Sequence, residues 1–177
     1  SCPATPTFTA PTASDACGGA TVNELSDVTA AGSCANSYSR TKTWDATDAC
    51  GNHSATVSQT ITVIDNTPPT IGGQGSNATI SCPASPTFTP PTASDACGGA
   101  TVNELSDVTA AGSCANSYSR TKTWDATDAC GNHSATVSQT ITVIDNTAPT
   151  ISGQGSNATI SCPATPTFTA PTASDAC

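Results

Sequence analysis

Along residues 38–47 the chain alternates: Tyr38, Trp44 and Ala46 share one parity, and Ser39, Thr41, Thr43, Asp45 and Thr47 share the other. Residues 55–63 repeat the pattern, with Ala55, Val57, Ile61 and Val63 set against Thr56, Ser58, Thr60 and Thr62. A period of two means successive side chains fall on opposite faces, which predicts two strands, each with an apolar face and a hydroxyl face. Asp48 to Asn52 between them supply the small and left-handed-tolerant residues of a hairpin loop. Val22, Leu25 and Val28 break strict alternation, and residues 20–29 are read as a strand with a bulge, since their β-branched side chains and missing cap disfavour a helix. Residues 3–16 are rich in Pro and Thr, which suits an extended or edge segment. Asp15–Gly19 and Ala30–Asn36 read as loops, Pro68 and Pro69 stop the hairpin, and Asn77–Cys82 alternates again as a first strand. Six or seven short strands with turns between them indicate a β-sandwich with Greek-key connections.

The whole pattern returns after 80 residues. Residues 1–80 and 81–160 differ only at Thr5/Ser85, Ala10/Pro90, Pro68/Ala148 and Gly72/Ser152, and residues 161–177 copy 1–17 unchanged. Self-similarity at one fixed period is the signature of a tandem array. The expected division is 1–70 for a first domain, 71–150 for a complete second one and 151–177 for the start of a third.

Ten cysteines lie at fixed places in the repeat, four to each whole copy. Neighbours stand too far apart for the close pairs of a zinc site, and His53 is the only histidine of its repeat, so a disulfide framework is expected over a metal. Such a framework belongs to an oxidising, extracellular setting. The core is thin, with one Trp, one Tyr and one Phe in each repeat and no Met in the chain. Bridges are therefore expected to supply much of the stability. A net charge of -9 argues against nucleic acid and anionic membrane surfaces as partners.

The segments ISCP, PPTASDACGG and TWDATDACGNHSATVSQTITVIDNTPPTI resemble the hyalin-repeat (HYR-like) family of immunoglobulin-like modules. They are similar in particular to tandem repeats of large Bacteroidetes surface proteins, gliding-motility adhesins among them. The likeness covers the whole repeat and is most specific at Ala46–Asn52 and Asp65–Thr70. It implies all-β, immunoglobulin-like sandwiches strung in extracellular arrays for adhesion or as a stalk. One departure is that the hyalin form often has a cysteine in its last strand, where this chain has Val57 and Ser58, so the hyalin bridge does not carry over. Four cysteines admit three pairings. In an immunoglobulin-like topology the loops holding Cys17 and Cys50 lie at one end and Cys2 and Cys34 at the other. This favours Cys2–Cys34 with Cys17–Cys50, and Cys82–Cys114 with Cys97–Cys130, leaving Cys162 and Cys177 without partners within residues 1–177.

Other candidate chemistry is weak. Asp15, Asp45, Asp48 and Asp65 raise calcium, yet no clustered calcium motif is present, and no cofactor or metal is expected. His53 near Asp48 and several serines could be drawn as a triad, but nothing orients it, and no enzyme is expected. Arg40 and Lys42 share parity with Trp44, so their stems are expected to cover its ring. The hydroxyl ladder of Thr56, Ser58, Thr60 and Thr62 is the candidate self-association face. The expected function is a structural segment of a cell-surface fibre or adhesin stalk, its partners further repeats of the array, with homotypic lateral or end-to-end assembly. The alternative is a module binding glycan or ice through the Thr-rich face.

Overall fold

The computed structural model describes residues 4–177, and the described residues contain strands and turns with no helix. Two compact units are present. The first takes residues up to 73 together with 91–103 and 124–137, and the second takes 74–90, 104–123 and 138–177. Each unit therefore draws on more than one copy of the 80-residue repeat.

In the first unit β1 (Ala20–Ala31), β2 (Tyr38–Asp48) and β3 (Val57–Val63) form an antiparallel sheet in that order. The hairpin predicted from alternation is present, with Tyr38 opposite Val63 and Trp44 opposite Val57. The expected bulge is also there: Glu24 faces Trp44 and Ser26 faces Thr43, so Leu25 has no partner in the ladder. Leu25 and Val28 are more than half exposed and do not build the core. The buried apolar groups of this unit are Trp44, Val63, Cys97, Trp124 and Ala126. β4 (Thr70–Gly72) begins directly after the two prolines and pairs with β6 (Thr92–Ser94).

The inner face of β2 carries charge beside its tryptophan. Arg40 and Lys42 each lie 5.7 Å from the centre of the Phe8 ring, and Phe8 meets Trp44 edge-on at 6.4 Å. The cations thus sit over Phe8, the residue supplied by the Pro/Thr-rich segment, and their heads are held by acids of β1. Arg40 donates to both carboxylate oxygens of Asp27, at 2.7 and 2.5 Å, and Lys42 donates to Glu24 at 2.8 Å.

β5 (Ala78–Ser81) lies parallel to β9 (Val137–Ile144) in a sheet of order β5-β9-β8-β7, with β7 at Ala100–Ala111 and β8 at Tyr118–Asp128; β5 belongs to the second unit, and β7 and β8 each have residues in both. The start of the repeat is thereby paired with its end, a long-range pairing that alternation does not reveal. Ile141 and Val143 on β9 are buried. Gln139, on the same face, is buried as well. β10 (Thr150–Ser152) pairs with β11 (Thr172–Ser174), the counterparts of β4 and β6.

Candidate functional site: a bridged joint between repeats

The loop from Gly32 to Ser37 connects β1 to β2. Gly32 N–H donates to Ser37 O at 2.7 Å, Ser37 N–H donates to Cys34 O at 3.1 Å, and Asn36 takes the left-handed conformation at φ 62°. Asparagine tolerates that region better than other residues with a side chain. Gly32 is required by the approach itself, because a Cβ there would lie 2.7 Å from the Ser37 backbone. The loop turns Cys34 outward beside the hydroxyl of Ser37, which donates to its sulfur at 2.9 Å.

A second loop, from the following repeat, meets it. Asp128 closes β8 by accepting hydrogen bonds from Cys130 N–H and Asn132 N–H at 2.8 Å each, with Gly131 at φ 87°. This is an Asx turn, a carboxylate substituting for a backbone acceptor. Cys130 so presented forms a disulfide with Cys34, across a sequence separation of 96. Two further contacts seat the joint: Asn36 Nδ2 donates to Cys97 O, and Asn132 Nδ2 donates to Asp65 O at 3.3 Å. Cys97 is itself disulfide-bonded and only 3% exposed.

The second unit holds the same loop one repeat later. Gly112 donates to Ser117 O at 2.7 Å, Ser117 stands 2.8 Å from Cys114 Sγ, and Asn116 again has φ 62°. Asn116 Nδ2 donates to Cys177 O, and Cys177 is bridged to Cys82 across a separation of 95.

These bridges correct the pairing argued from topology. Cys34 bonds Cys130 in place of Cys2, and Cys82 bonds Cys177 in place of Cys114. Cys130 is therefore not joined to Cys97, and Cys17 and Cys50 carry no bridge. Cys2 lies outside the described residues. Cys17 and Cys50 do line one cleft, without being joined. The pairing differs because the loop end of the next repeat is delivered to the Cys34 loop, so the nearest cysteine across the joint belongs to another copy. Near-identical repeats contain no residue-level signal that separates these alternatives.

One of the remaining candidates lies at this joint. Asp65, Asp95 and Cys97 bring ligand atoms within 4.8 Å of one another. The Cys97 sulfur is committed to a disulfide, which leaves two carboxylates against the six to eight oxygens calcium takes. His53 Nδ1 lies 2.7 Å from Asp45, which also accepts from Asn23 at 2.8 Å. Asn23 first, then His53, holds the Asp45 carboxyl below its ordinary range. Ser54 Oγ accepts from Ala46 N–H at 2.9 Å and donates to Ala55 O, so the serine nearest that histidine is occupied in the turn. The network of Asn23, Asp45 and His53 was not foreseen from sequence; only the register of β1 on β2 creates it. On the hydroxyl face, Thr60 sits opposite Thr41 and their hydroxyls hydrogen-bond at 2.9 Å, with Ser58 opposite Thr43 and Thr62 opposite Ser39.

An all-β chain of near-identical modules with cysteines bridged from one repeat to the next is a tandem array of disulfide-stapled, immunoglobulin-like sandwiches. The chain belongs to the family described as "HYR-like domain with 4 cysteines", which it matches twice, over residues 2–63 and 71–143. HYR-like domains are extracellular repeat domains of structural or adhesive type. No curated protein and no solved structure matches the chain.

Proposed function

We propose that this array is a length of bacterial cell-surface fibre or adhesin stalk, of the kind carried by large Bacteroidetes surface proteins, whose task is reach and mechanical continuity. The observation that carries the reading is that consecutive repeats are tied by disulfides in addition to the peptide chain, at Cys34–Cys130 and Cys82–Cys177. These two closed loops overlap between residues 82 and 130, so a pull on the chain ends passes through both bridges and is shared by the three segments that connect them, 34–82, 82–130 and 130–177. The reading is non-enzymatic and needs no cofactor, and its partners are further repeats of the array.

Single-molecule pulling tests this. The oxidised array is expected to extend between its two bridges by less than one whole repeat. The reduced array is expected to lengthen by about 3.3–3.6 Å for every residue released. Release of whole repeats from the oxidised array would remove the mechanical role.

A glycan- or ice-binding role for the threonine face is less well supported, since Thr41 and Thr60, like Thr121 and Thr140, direct hydroxyls at each other. We assign that face to lateral contact between arrays.

A further inference from the structure

Among the described residues Cys17, Cys50, Cys114 and Cys162 carry no bridge, and all are exposed. They are not arbitrary. The two observed bridges follow one rule: a cysteine of the first-strand or β1–β2-loop type bonds a cysteine 95 or 96 residues further on, in the next copy. Applied to Cys114 and Cys162, the rule points to positions beyond residue 177. Applied backwards from Cys17 and Cys50, it points to positions before residue 1. The four unbridged cysteines are thus the ones whose partner would stand in another copy of the repeat.

The loops of Cys50 and Cys114 are already in the bridged conformation. Asp48 accepts from Cys50 N–H and Asn52 N–H at 2.8 Å each, as Asp128 does around the bonded Cys130. Ser117 stands 2.8 Å from Cys114 Sγ, as Ser37 stands 2.9 Å from the bonded Cys34. Gly51 matches Gly131, at φ 86° and 87°. A site preorganised without its partner loses little freedom on bonding it.

We propose that Cys17, Cys50, Cys114 and Cys162 are inter-repeat disulfide sites that take cysteines of further copies of this same 80-residue repeat, so that the array is closed by bridges at every joint. Cys114 takes the copy of Cys50, and Cys162 takes the copy of Cys17. Cys17 and Cys50 take the copies of Cys82 and Cys114. Each bond forms when two thiols give up two protons and two electrons to a disulfide oxidant, which leaves as two thiols. The proposal deepens the fibre reading and rests on the same bridges.

The chain lengthened by a copy of residues 18–80 tests it, by alkylation before reduction and mass mapping after oxidation with glutathione disulfide. Cys114 is expected to become protected and linked to the copy of Cys50. Open thiols should then remain at Cys17, Cys50, Cys162 and the copy of Cys34. Replacing the copy of Cys50 by Ser should return Cys114 to the open set. In the unextended chain, Cys17 and Cys50 should stay open although they line one cleft. Linkage of Cys17 to Cys50, or of Cys114 to Cys82, overturns the proposal. Bridges of the proposed pattern in an array that still unravels under load would sink the mechanical role alone.

Discussion

Gln139 Oε1 accepts a hydrogen bond from Thr89 N–H at 3.1 Å while its Nε2 donates to Ser76 O at 3.0 Å. With 5% of its surface exposed, this glutamine sits on the same strand face as Ile141 and Val143 and serves two backbone groups of the segment that starts the repeat. Gln59 is its copy one repeat earlier, is exposed, and accepts from Thr9 N–H at 3.4 Å. Gln139→Leu leaves a buried donor and acceptor unmet and is expected to cost about 1–3 kcal/mol. Gln59→Leu should stay within about 0.5 kcal/mol. Amide exchange at Thr89, faster in the first variant and unchanged in the second, checks this.

Arg40 holds the Asp27 carboxyl down to about 2 from an ordinary 3.8, with Lys42 assisting, and Arg120 does the same for Asp107. A carboxylate whose folded value is depressed contributes stability that is fully present above its unfolded value and is lost as pH falls through its folded one. Thermal unfolding temperature should therefore drop between about pH 4 and pH 2. The double variant Asp27→Asn, Asp107→Asn should be less stable at neutral pH and show a shallower drop. An unchanged acid profile would mean these pairs contribute nothing.

The Cys34–Cys130 bridge closes a loop with a sequence separation of 96. In the chain-entropy account a loop near 100 residues is worth about 4.7 kcal/mol, and measured losses run about 2–5. Cys34→Ser with Cys130→Ser should lower the melting temperature by several degrees or more, and dithiothreitol should add to the loss through Cys82–Cys177. Scanning calorimetry on oxidised, reduced and variant protein orders the three.

At Gly32 a Cβ would lie 2.7 Å from the Ser37 backbone, whereas at Gly18 nothing stands within 4 Å. Gly32→Ala should open the loop that presents Cys34 and reduce the fraction of Cys34–Cys130 bridge recovered after oxidative refolding. Gly18→Ala should leave that fraction unchanged.

If the hydroxyl face makes lateral contacts, Thr56→Lys, Thr60→Lys and Thr62→Lys together should abolish concentration-dependent assembly of long arrays while the circular dichroism of the strands persists. Sedimentation at high concentration decides it: wild-type arrays that remain single chains would leave no role for the face in assembly.

Much of this protein was determined by sequence alone. Alternation of period two at 38–47 and 55–63 became β2 and β3 because it records which side chains share a face of the sheet. The bulge at Leu25, the loops at Cys34 and Cys50, and the stop at Pro68 and Pro69 were legible because turn chemistry is local: Asp48 and Asn36 act on backbone within a few residues. Tertiary structure decided which copy of each signal meets which. Gln59 and Gln139 have the same neighbours in sequence and, among the described residues, different surroundings, Gln139 lying on β9 beside β5. Cys34 could reach Cys2, Cys50 or Cys130 as far as residue types tell, because a sequence that repeats itself assigns the same local preference to every copy. The choice of Cys130 comes from the docking of one repeat's loop end onto the preceding repeat's β1–β2 loop, held by Asn36 on Cys97 and Asn132 on Asp65. Those contacts run between residues more than sixty positions apart, and pairwise proximity over such separations is a property of the folded chain that no local pattern encodes.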